Sequence, residues 1–450
     1  MLQAPAYAFP DAGRPHIHLV LATHPPRVLT IWVGDLYHTL AVDFSTEDDG
    51  TVYVETGDIP AMWLRDSSAQ AMPYVRFAPV FESHELSPLI RGVIERNSKN
   101  VLTDPYANAF TQDYKVWEEK WEVDSLSYPV GLAWSYWNVT RDRGMFTLRL
   151  HWALAHILAT YECEQRHLTC SRYTSRYLVN GGHGPYYAKT WMIWSAFRPS
   201  DEPVRYPYNI PQQMFAAVAL QELADLAEIG YRDEGLAARA RLLSIQVRAS
   251  IERYGEVYDF RHGWMYAYEV DGYGNSELMD DANLPNLISA SLYAYTSPDD
   301  VLYEDTRDFS LSTDNPFYYR GAYAAGLGSS HTPTGWVWPL GMIVRALTAD
   351  SWDEVALSLA QLRASGGSEA VFHESLDPDR PWRFTRSAFG WPNATYAELL
   401  FRSAAGIPAV DPPLDPFVWP AKTPQMPGQI ERWNNAGIMT AELQRLLSSF

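Results

Sequence analysis

Three short segments of the chain bring carboxylates together with cationic and aromatic side chains. They span residues 56–68, 194–202 and 372–393. Carboxylate and guanidinium groups bind several hydroxyls at once, and an indole ring offers a flat apolar face to a sugar ring. The combination is typical of a sugar-binding pocket. For residues 56–68, however, a turn with an ion pair and a core tryptophan is an equally good explanation.

Two carboxyl groups facing each other across a pocket would support glycoside hydrolysis. One must be protonated to give its proton to the leaving oxygen, and the other must be ionised to attack or to activate water. The candidates are Asp201, Glu202 and Glu374, because each lies in a polar segment next to a predicted helix. Structural roles remain open for all three: a helix cap for Asp201 or Glu202, and an ion pair with Arg386 for Glu374.

Motifs of other enzyme classes are absent from the sequence. There is no His-Glu-x-x-His or clustered cysteine and histidine set for a metal, and no Gly-x-Ser-x-Gly elbow. There is also no loop of the phosphate-binding or dinucleotide-binding type. We therefore expect neither a metal nor a cofactor.

Charge and composition restrict the partners. The chain has 35 basic and 54 acidic residues, a net charge of −19, which argues against nucleic acid and anionic membranes. It has no run of about 18 apolar residues that would span a membrane. The 17 tryptophans and 28 tyrosines lie largely in polar segments with proline and glycine, which suits carbohydrate binding.

Two features bear on the compartment. Cys163 and Cys170 match no metal or redox spacing, so we expect reduced thiols, with a disulfide left open. The N-terminus lacks the basic and apolar regions of a secretory signal, so we expect a cytoplasmic location.

Hydrophobic periodicity predicts a mainly helical protein. The apolar stripe from Leu236 to Ile251 predicts one helix, and Pro211 and Gly230 mark the ends of another over residues 212–229. Further helices are predicted at residues 128–137, 145–163, 338–347, 352–362, 395–405 and 436–447. Strand patterns are short, at residues 51–54, 257–260 and 264–268, and the Pro-rich stretch 408–427 is expected to wrap the surface. One large all-α domain of paired helices fits this pattern best.

The sequence resembles a known family, glycoside hydrolase family 125, the exo-α-1,6-mannosidases. Six motifs carry the resemblance, in order, between about residues 51 and 402. They are residues 56–68 (TGDIPAMWLRDSS), 120–129 (KWEVDSLSYP), 197–201 (FRPSD), 280–285 (DDANLP), 331–340 (HTP and WPL) and 373–375 (HES).

The resemblance implies an (α/α)6 barrel, a toroid of paired helices with short β-hairpins in its loops. It implies a single catalytic domain over residues 1–450, although residues 1–45 match the family poorly. The implied reaction releases non-reducing terminal mannose from α-mannosides with inversion and without a metal. The partner is thus an α-mannoside oligosaccharide, and the oligomeric state is not indicated.

Site roles follow from the same resemblance. Asp201 is the implied general acid and Glu374 the implied general base, which for inversion should stand roughly 6.5–9.5 Å apart. The acid needs a raised pKa, and we expect burial beside Phe197 to supply it. The implied substrate-binding residues are Asp58, Trp63, Arg65, Asp66, Asp124, Asn283, His331, Arg386 and Trp391.

The sequence departs from the family pattern at two places. Glu202 stands where the family commonly has a second Asp, which favours Asp201 as the acid. Residues 30–44 poorly match the family's N-terminal helix, so their contribution to the leaving-group side of the pocket is undefined.

Beside the hypothesis of a metal-independent mannosidase, a metal-dependent α-mannosidase is left open, and two alternatives of other kinds remain. One is an (α/α)6 glycosidase or lyase that acts on another sugar, since one fold hosts several chemistries. The other is a non-catalytic sugar-binding protein, which the presence of both Asp201 and Glu374 argues against.

Overall fold

The computed structural model of the chain describes residues 39–75, 86–365 and 371–404. Ten α-helices of nine or more residues lie in these ranges. They are α1 Leu64–Val75, α2 Leu86–Thr103, α3 Val123–Thr140, α4 Leu148–Glu164, α5 Ile210–Leu226, α6 Glu234–Tyr254, α7 Val301–Ser310, α8 Pro339–Leu347, α9 Trp352–Ser365 and α10 Gly390–Ala404. No helix in the described ranges is long and apolar enough to cross a membrane.

These helices form two concentric layers. The inner ring runs α10, α1, α3, α5, the 3₁₀ turn Leu287–Ser289, α8 and back to α10. Helices α2, α4, α6, α7 and α9 pack on its outside. Inner helices such as α3 and α5 are buried on nearly every side, whereas α6 buries a single face, as an outer helix should.

The two best-supported helix predictions are confirmed. Helix α5 begins where Asn209 accepts a hydrogen bond from the backbone N–H of Gln212, with Pro211 in the first turn. A π-helical turn, Ala227–Tyr231, continues it. Along α6, every predicted stripe residue from Leu236 to Ile251 is buried.

Three helices, α1, α2 and α7, were not predicted. Helix α1 lacks an apolar stripe because its buried positions include Arg65, Asp66, Ser67 and Gln70. The predicted helix 436–447 and the Pro-rich stretch 408–427 lie outside the described residues. So do residues 30–38 of the divergent N-terminal segment, whose described part begins with a short π-helix, Thr39–Asp43.

The strands are short and belong to the connections between helices. All pairs are antiparallel, in sheets β1–β2, β3–β4–β5, β6–β9–β10, β7–β8, β11–β12 and β13–β14. Their bounds are β1 Phe44–Thr46, β2 Val52–Val54, β3 Met62–Trp63, β4 Ala109–Phe110, β5 Val116–Glu118, β6 Tyr208–Asn209, β7 Glu256–Asp259, β8 Gly263–Tyr266, β9 Glu269–Val270, β10 Ser276–Glu277, β11 Tyr318–Arg320, β12 Ala325–Leu327, β13 Ser375–Asp377 and β14 Arg380–Thr385. The predicted strands coincide with β2, β7 and β8.

The expectation of reduced thiols is wrong, because Cys163 and Cys170 form a disulfide. Cys163 lies in the last turn of α4, and a short helix, His167–Cys170, turns back towards it. The two Cα atoms are 5.3 Å apart, within the usual range for a disulfide. Sequence spacing could not show this reversal of the chain.

We expect both cysteines to resist alkylation when the protein is denatured without reductant. Mass spectrometry should show two added groups only after reduction, and a Cys170→Ser variant should take up one group without reduction. Closure of so short a loop contributes roughly 2 kcal/mol to stability, so reduction should lower the melting temperature. Full alkylation of the unreduced wild-type chain would contradict the bond.

Candidate active site

The three polar segments meet around one cavity of about 170 Å³. Its walls come from the chain on either side of the start of α1, the loop before β6, the loops after β10 and β12, and the chain around β13 and the start of α10. The lining residues are Thr56, Ile59, Trp63, Arg65, Asp66, Pro199, Ser200, Asp201, Asn283, His331, Trp338, Glu374, Arg386, Phe389 and Trp391.

The structure brings most of the predicted site residues to this cavity, Asp201 and Glu374 included. Asp58 and Asp124 do not line it. Asp58 accepts hydrogen bonds from Arg386 Nε at 2.7 Å and from the backbone N–H of Ser387 at 3.0 Å. Asp124 is fully buried and accepts from Arg65. Each carboxylate therefore binds an arginine that lines the cavity, and neither carboxylate lines it.

Arg65 is the central cation of the site. Its Nη1 donates to Glu122 Oε2 and to Asp124 Oδ2, both at 2.9 Å, and its Nη2 donates to Asp201 Oδ1 at 3.3 Å. Its guanidinium lies 5.7 Å from the ring centre of Trp391. Arg65 lies in the first turn of α1, and Glu122 and Asp124 lie at the start of α3. The contacts thus join two inner helices to the loop that carries Asp201.

Asp201 sits in a firmly anchored loop. Arg198 makes a bidentate pair with buried Glu269, at 2.6 and 3.0 Å, which fixes the start of the loop. Lys120 Nζ approaches Asp201 Oδ2 at 3.6 Å. The backbone of Asp201 has φ +70°, a left-handed conformation that non-glycine residues rarely adopt. Asp201 does not cap α5, a role that Asn209 fills.

Glu374 is held at the start of the β13–β14 hairpin. Its backbone N–H donates to the carbonyl of Thr385 at 3.3 Å, and its carboxylate lies 3.9 Å from Arg386 Nη1. The neighbouring His373 ring stacks on Phe384 with centroids 3.5 Å apart. Glu374 is 7% exposed, so its carboxylate faces the cavity from a wall that has little contact with solvent.

His331 and Glu202 form an ion pair at the edge of the cavity, with Nδ1 and Oε1 2.9 Å apart. Burial opposes the charge on His331, but Glu202 and Asp201 outweigh it and raise the pKa of His331 to about 9. The ring is therefore charged at neutral pH. His331 is not a core histidine, and Glu202 is its partner.

The electrostatics of the two carboxyls differ from expectation. Burial would raise the pKa of Asp201, but a hydrogen bond from Glu122 and the charges of Arg65 and Lys120 hold it at about 2. The expected raised pKa of Asp201 is therefore wrong for the substrate-free site. Burial raises the pKa of Glu374 against the opposing charges of His331 and Arg386. The expected neighbour, Phe197, does not line the cavity.

Comparison with known proteins identifies the family. The sequence profile of the metal-independent alpha-mannosidases (GH125) matches residues 30–401. The chain belongs to glycoside hydrolase family 125. Within this family it is 36% identical to a metal-independent α-mannosidase of Streptococcus pneumoniae, solved as a non-productive complex with α-1,6-mannobiose. That match covers 88% of this chain and 98% of the other, at a TM-score of 0.84.

Two further proteins match the chain, one by sequence and one by structure. The meiotically up-regulated gene 157 protein of Schizosaccharomyces pombe is 34% identical, over 77% of this chain and 75% of that protein. A bacterial glucoamylase in complex with acarbose superposes at a TM-score of 0.53 and 12% identity, over 79% of this chain and 50% of the other. At that identity the likeness concerns the fold alone. The structural matches to the Streptococcus pneumoniae α-mannosidase and to the glucoamylase confirm the predicted (α/α)6 barrel.

The family is metal-independent, and the donor set agrees with that. Within residues 39–75, 86–365 and 371–404, no group of three or more His, Cys, Asp and Glu side chains is arranged to hold an ion. The cavity carboxylates are instead paired with Arg65, Lys120, Arg386 and His331.

Sequence reasoning missed two charged residues of the site. Lys120 and Glu122 lie in the motif KWEVDSLSYP but were not among the candidates, although both contact Asp201. A usable signal was present, because two carboxylates and a lysine lie within residues 120–124, which lead into α3. Trp338 and Phe389 also line the cavity; Trp338 lies in the motif WPL and Phe389 in the polar segment 372–393, but neither was named as a candidate.

We expect Arg65→Met to destabilise the protein strongly, by about 3–5 kcal/mol at neutral pH, because it leaves buried carboxylates without their cation. Burial already raises the pKa values of Glu122 and Asp124 above their unfolded values, and without the opposing charge of Arg65 they rise further. The variant's stability should therefore fall as pH rises, so its deficit is larger at pH 8 than at pH 5. Urea unfolding midpoints at the two pH values measure this.

The matched control is Arg205→Met, which removes an exposed ion pair with Glu277. Its unfolding midpoint should stay near that of the wild type at both pH values. Equal effects of the two substitutions, or an Arg65→Met deficit independent of pH, would disprove the role of Arg65.

Proposed function

We propose that the protein is an inverting exo-α-1,6-mannosidase that acts on α-mannoside oligosaccharides. The observation that carries the proposal is that Asp201 and Glu374 line one small cavity together with sugar-binding side chains. Family membership supports the mannoside, and the mannobiose complex of the Streptococcus pneumoniae relative supports the α-1,6 linkage.

In this proposal the two carboxyls have separate tasks. Asp201 protonates the glycosidic oxygen as the bond to the anomeric carbon breaks. Glu374 takes a proton from a water molecule that attacks the anomeric carbon from the opposite face. Burial disfavours the charge on Glu374 and thereby makes it a stronger base at neutral pH than an exposed carboxylate.

The remaining lining residues have chemistry that suits a single mannose unit. Trp63 and Trp391 offer apolar faces to a sugar ring, while polar groups bind hydroxyls. These polar groups are Arg65, Asp66, Asn283, His331 and Arg386. Asp58 and Asp124 serve binding indirectly, because they orient Arg386 and Arg65.

The size of the cavity supports exo action. At about 170 Å³ it is smaller than the roughly 300–1,000 Å³ of pockets that enclose drug-sized ligands. A space of that size suits one terminal sugar ring, with the rest of the glycan outside.

The disulfide bears on the location of the protein. Bonds of this kind persist in oxidising compartments and are rare in the cytosol. Cys163–Cys170 therefore favours an oxidising compartment, opposite to the cytoplasmic location expected from the N-terminal sequence.

Anomer-resolved proton NMR of α-1,6-mannobiose hydrolysis tests substrate, linkage and stereochemistry together. We expect β-mannose as the first product, because water attacks the face opposite the leaving group. Chelator should leave the rate unchanged. Initial α-mannose, or cleavage of glucosides and uronides with mannosides untouched, would refute the proposal.

Removal of either carboxyl should abolish most turnover. General acid–base help is worth about 10²–10⁴-fold per group, so Asp201→Asn and Glu374→Gln should each lose activity in that range. Both replacements are nearly isosteric, so melting temperatures should change little. The control is Glu202→Gln, whose amide oxygen still accepts from His331, and it should retain far more activity. Ordinary turnover by Asp201→Asn or Glu374→Gln would contradict the roles.

A further inference from the structure

The proposed acid, Asp201, poses a problem of proton supply. A general acid must carry a proton when it meets its substrate. Asp201 accepts a hydrogen bond from Arg65 Nη2 at 3.3 Å and lies 3.6 Å from Lys120 Nζ. Both cations favour its ionised form. Some neighbouring group must therefore hold the proton that Asp201 later delivers.

The charges around Arg65 require that one of its neighbouring carboxyl groups retains a proton. Glu122, Asp124 and Asp201 all face the guanidinium of Arg65, and Glu122 and Asp124 have no solvent exposure. One cation does not compensate three carboxylates, two of which are without solvent, and carboxylates that share a site do not all ionise together. Lys120 Nζ lies closer to Glu118 Oε1, at 2.9 Å, than to Asp201 Oδ2, at 3.6 Å, so it does not fully offset the excess negative charge.

The hydrogen bonds of Glu122 show where that proton lies. Its Oε2 accepts from Arg65 Nη1 and from the hydroxyl of Ser125, both at 2.9 Å. Its Oε1 is buried and has no donor from any N–H or hydroxyl group in the described residues. Glu122 and Asp201 face the two Nη atoms of the same guanidinium, at 2.9 and 3.3 Å, and a hydrogen bond between the two carboxyls raises the pKa of Glu122 and lowers that of Asp201. Two ionised carboxylates cannot form such a bond, so one proton is shared between them.

We propose that Glu122 is a positioning residue that stores the proton which Asp201 delivers to the glycosidic oxygen. The inference rests on the proposed function of Asp201. Burial raises the pKa of Glu122 well above its usual range, which agrees with storage on this deeper carboxyl. The other charged groups that face the pair include Arg65, Asp66, Lys120, Asp124 and His331.

The proton balance of a turnover is then complete. The proton passes from Glu122 to Asp201, and from Asp201 to the glycosidic oxygen as the carbon–oxygen bond breaks and the leaving sugar departs as an alcohol. Glu374 takes a proton from the attacking water and later releases it to solvent. One proton from solvent then restores the Glu122–Asp201 pair.

Asp124 provides a matched control within the same motif. Like Glu122 it is fully buried and accepts from Arg65 Nη1 at 2.9 Å. Unlike Glu122, it has no hydrogen bond to Asp201 among the contacts of the described structure. Glu122→Gln and Asp124→Asn thus place an amide on the same nitrogen of Arg65, and only Glu122→Gln removes a group that can pass a proton to Asp201.

The test compares two substrates that differ in their need for an acid. Hydrolysis of α-1,6-mannobiose needs a proton on the leaving oxygen. Hydrolysis of 2,4-dinitrophenyl α-mannoside does not, because dinitrophenolate departs without a proton. For Glu122→Gln we expect kcat on mannobiose to fall by about 10²–10³-fold, within the range of general acid catalysis, and kcat on the dinitrophenyl substrate by less than about tenfold. Asp124→Asn should lower both rates by one common factor.

Two outcomes would overturn the inference. One is a Glu122→Gln loss that is equal on both substrates. The other is a fully additive loss when Glu122→Gln is combined with Asp201→Asn, because a residue that acts only through Asp201 has no further effect once Asp201 is gone. Circular dichroism and calorimetric mannose binding confirm folding, and Glu122→Asp should partly restore mannobiose turnover. If the wild-type protein cleaved neither substrate, the proposed function itself would fail.

Discussion

The buried guanidinium of Arg65 is the interaction on which the rest of the site depends. It ties the first turn of α1 to the start of α3 and reaches the loop of Asp201. A charge without solvent is tolerated only when partners surround it. This requirement explains why an inner helix of the barrel begins with buried polar residues, and why two carboxylates of α3 point at it and not into the cavity.

Sequence patterns predicted the fold where burial is one-sided. Helix α6 has one buried face, so its stripe from Leu236 to Ile251 could be recognised. Helix α1 is buried on a polar face and has no such stripe, so no periodicity could reveal it. The (α/α)6 arrangement came from the resemblance in six motifs, because the order in which inner helices pack depends on contacts between distant parts of the chain.

For the candidate site, residue types predicted location better than contacts. Trp63, Arg65, Asn283, Glu374 and others reach the cavity because their motifs lie at the starts of inner helices and in the loops beside them. Asp58 and Asp124 were expected to bind substrate, but each faces an arginine instead. The low pKa of Asp201 depends on three groups that lie far away or unnoticed in the sequence. Only the folded structure brings them together.

The left-handed backbone at Asp201 has a consequence for engineering the enzyme. Asp201 and Arg386 adopt φ values of +70° and +55°, which cost about 1–2 kcal/mol each for residues with a Cβ. Glycine would avoid this cost. A screen for thermal stability that measures only the amount of folded protein would therefore select glycine at both positions. On the proposed roles of Asp201 and Arg386, such a library needs selection on sugar release, because its most stable members would be inert.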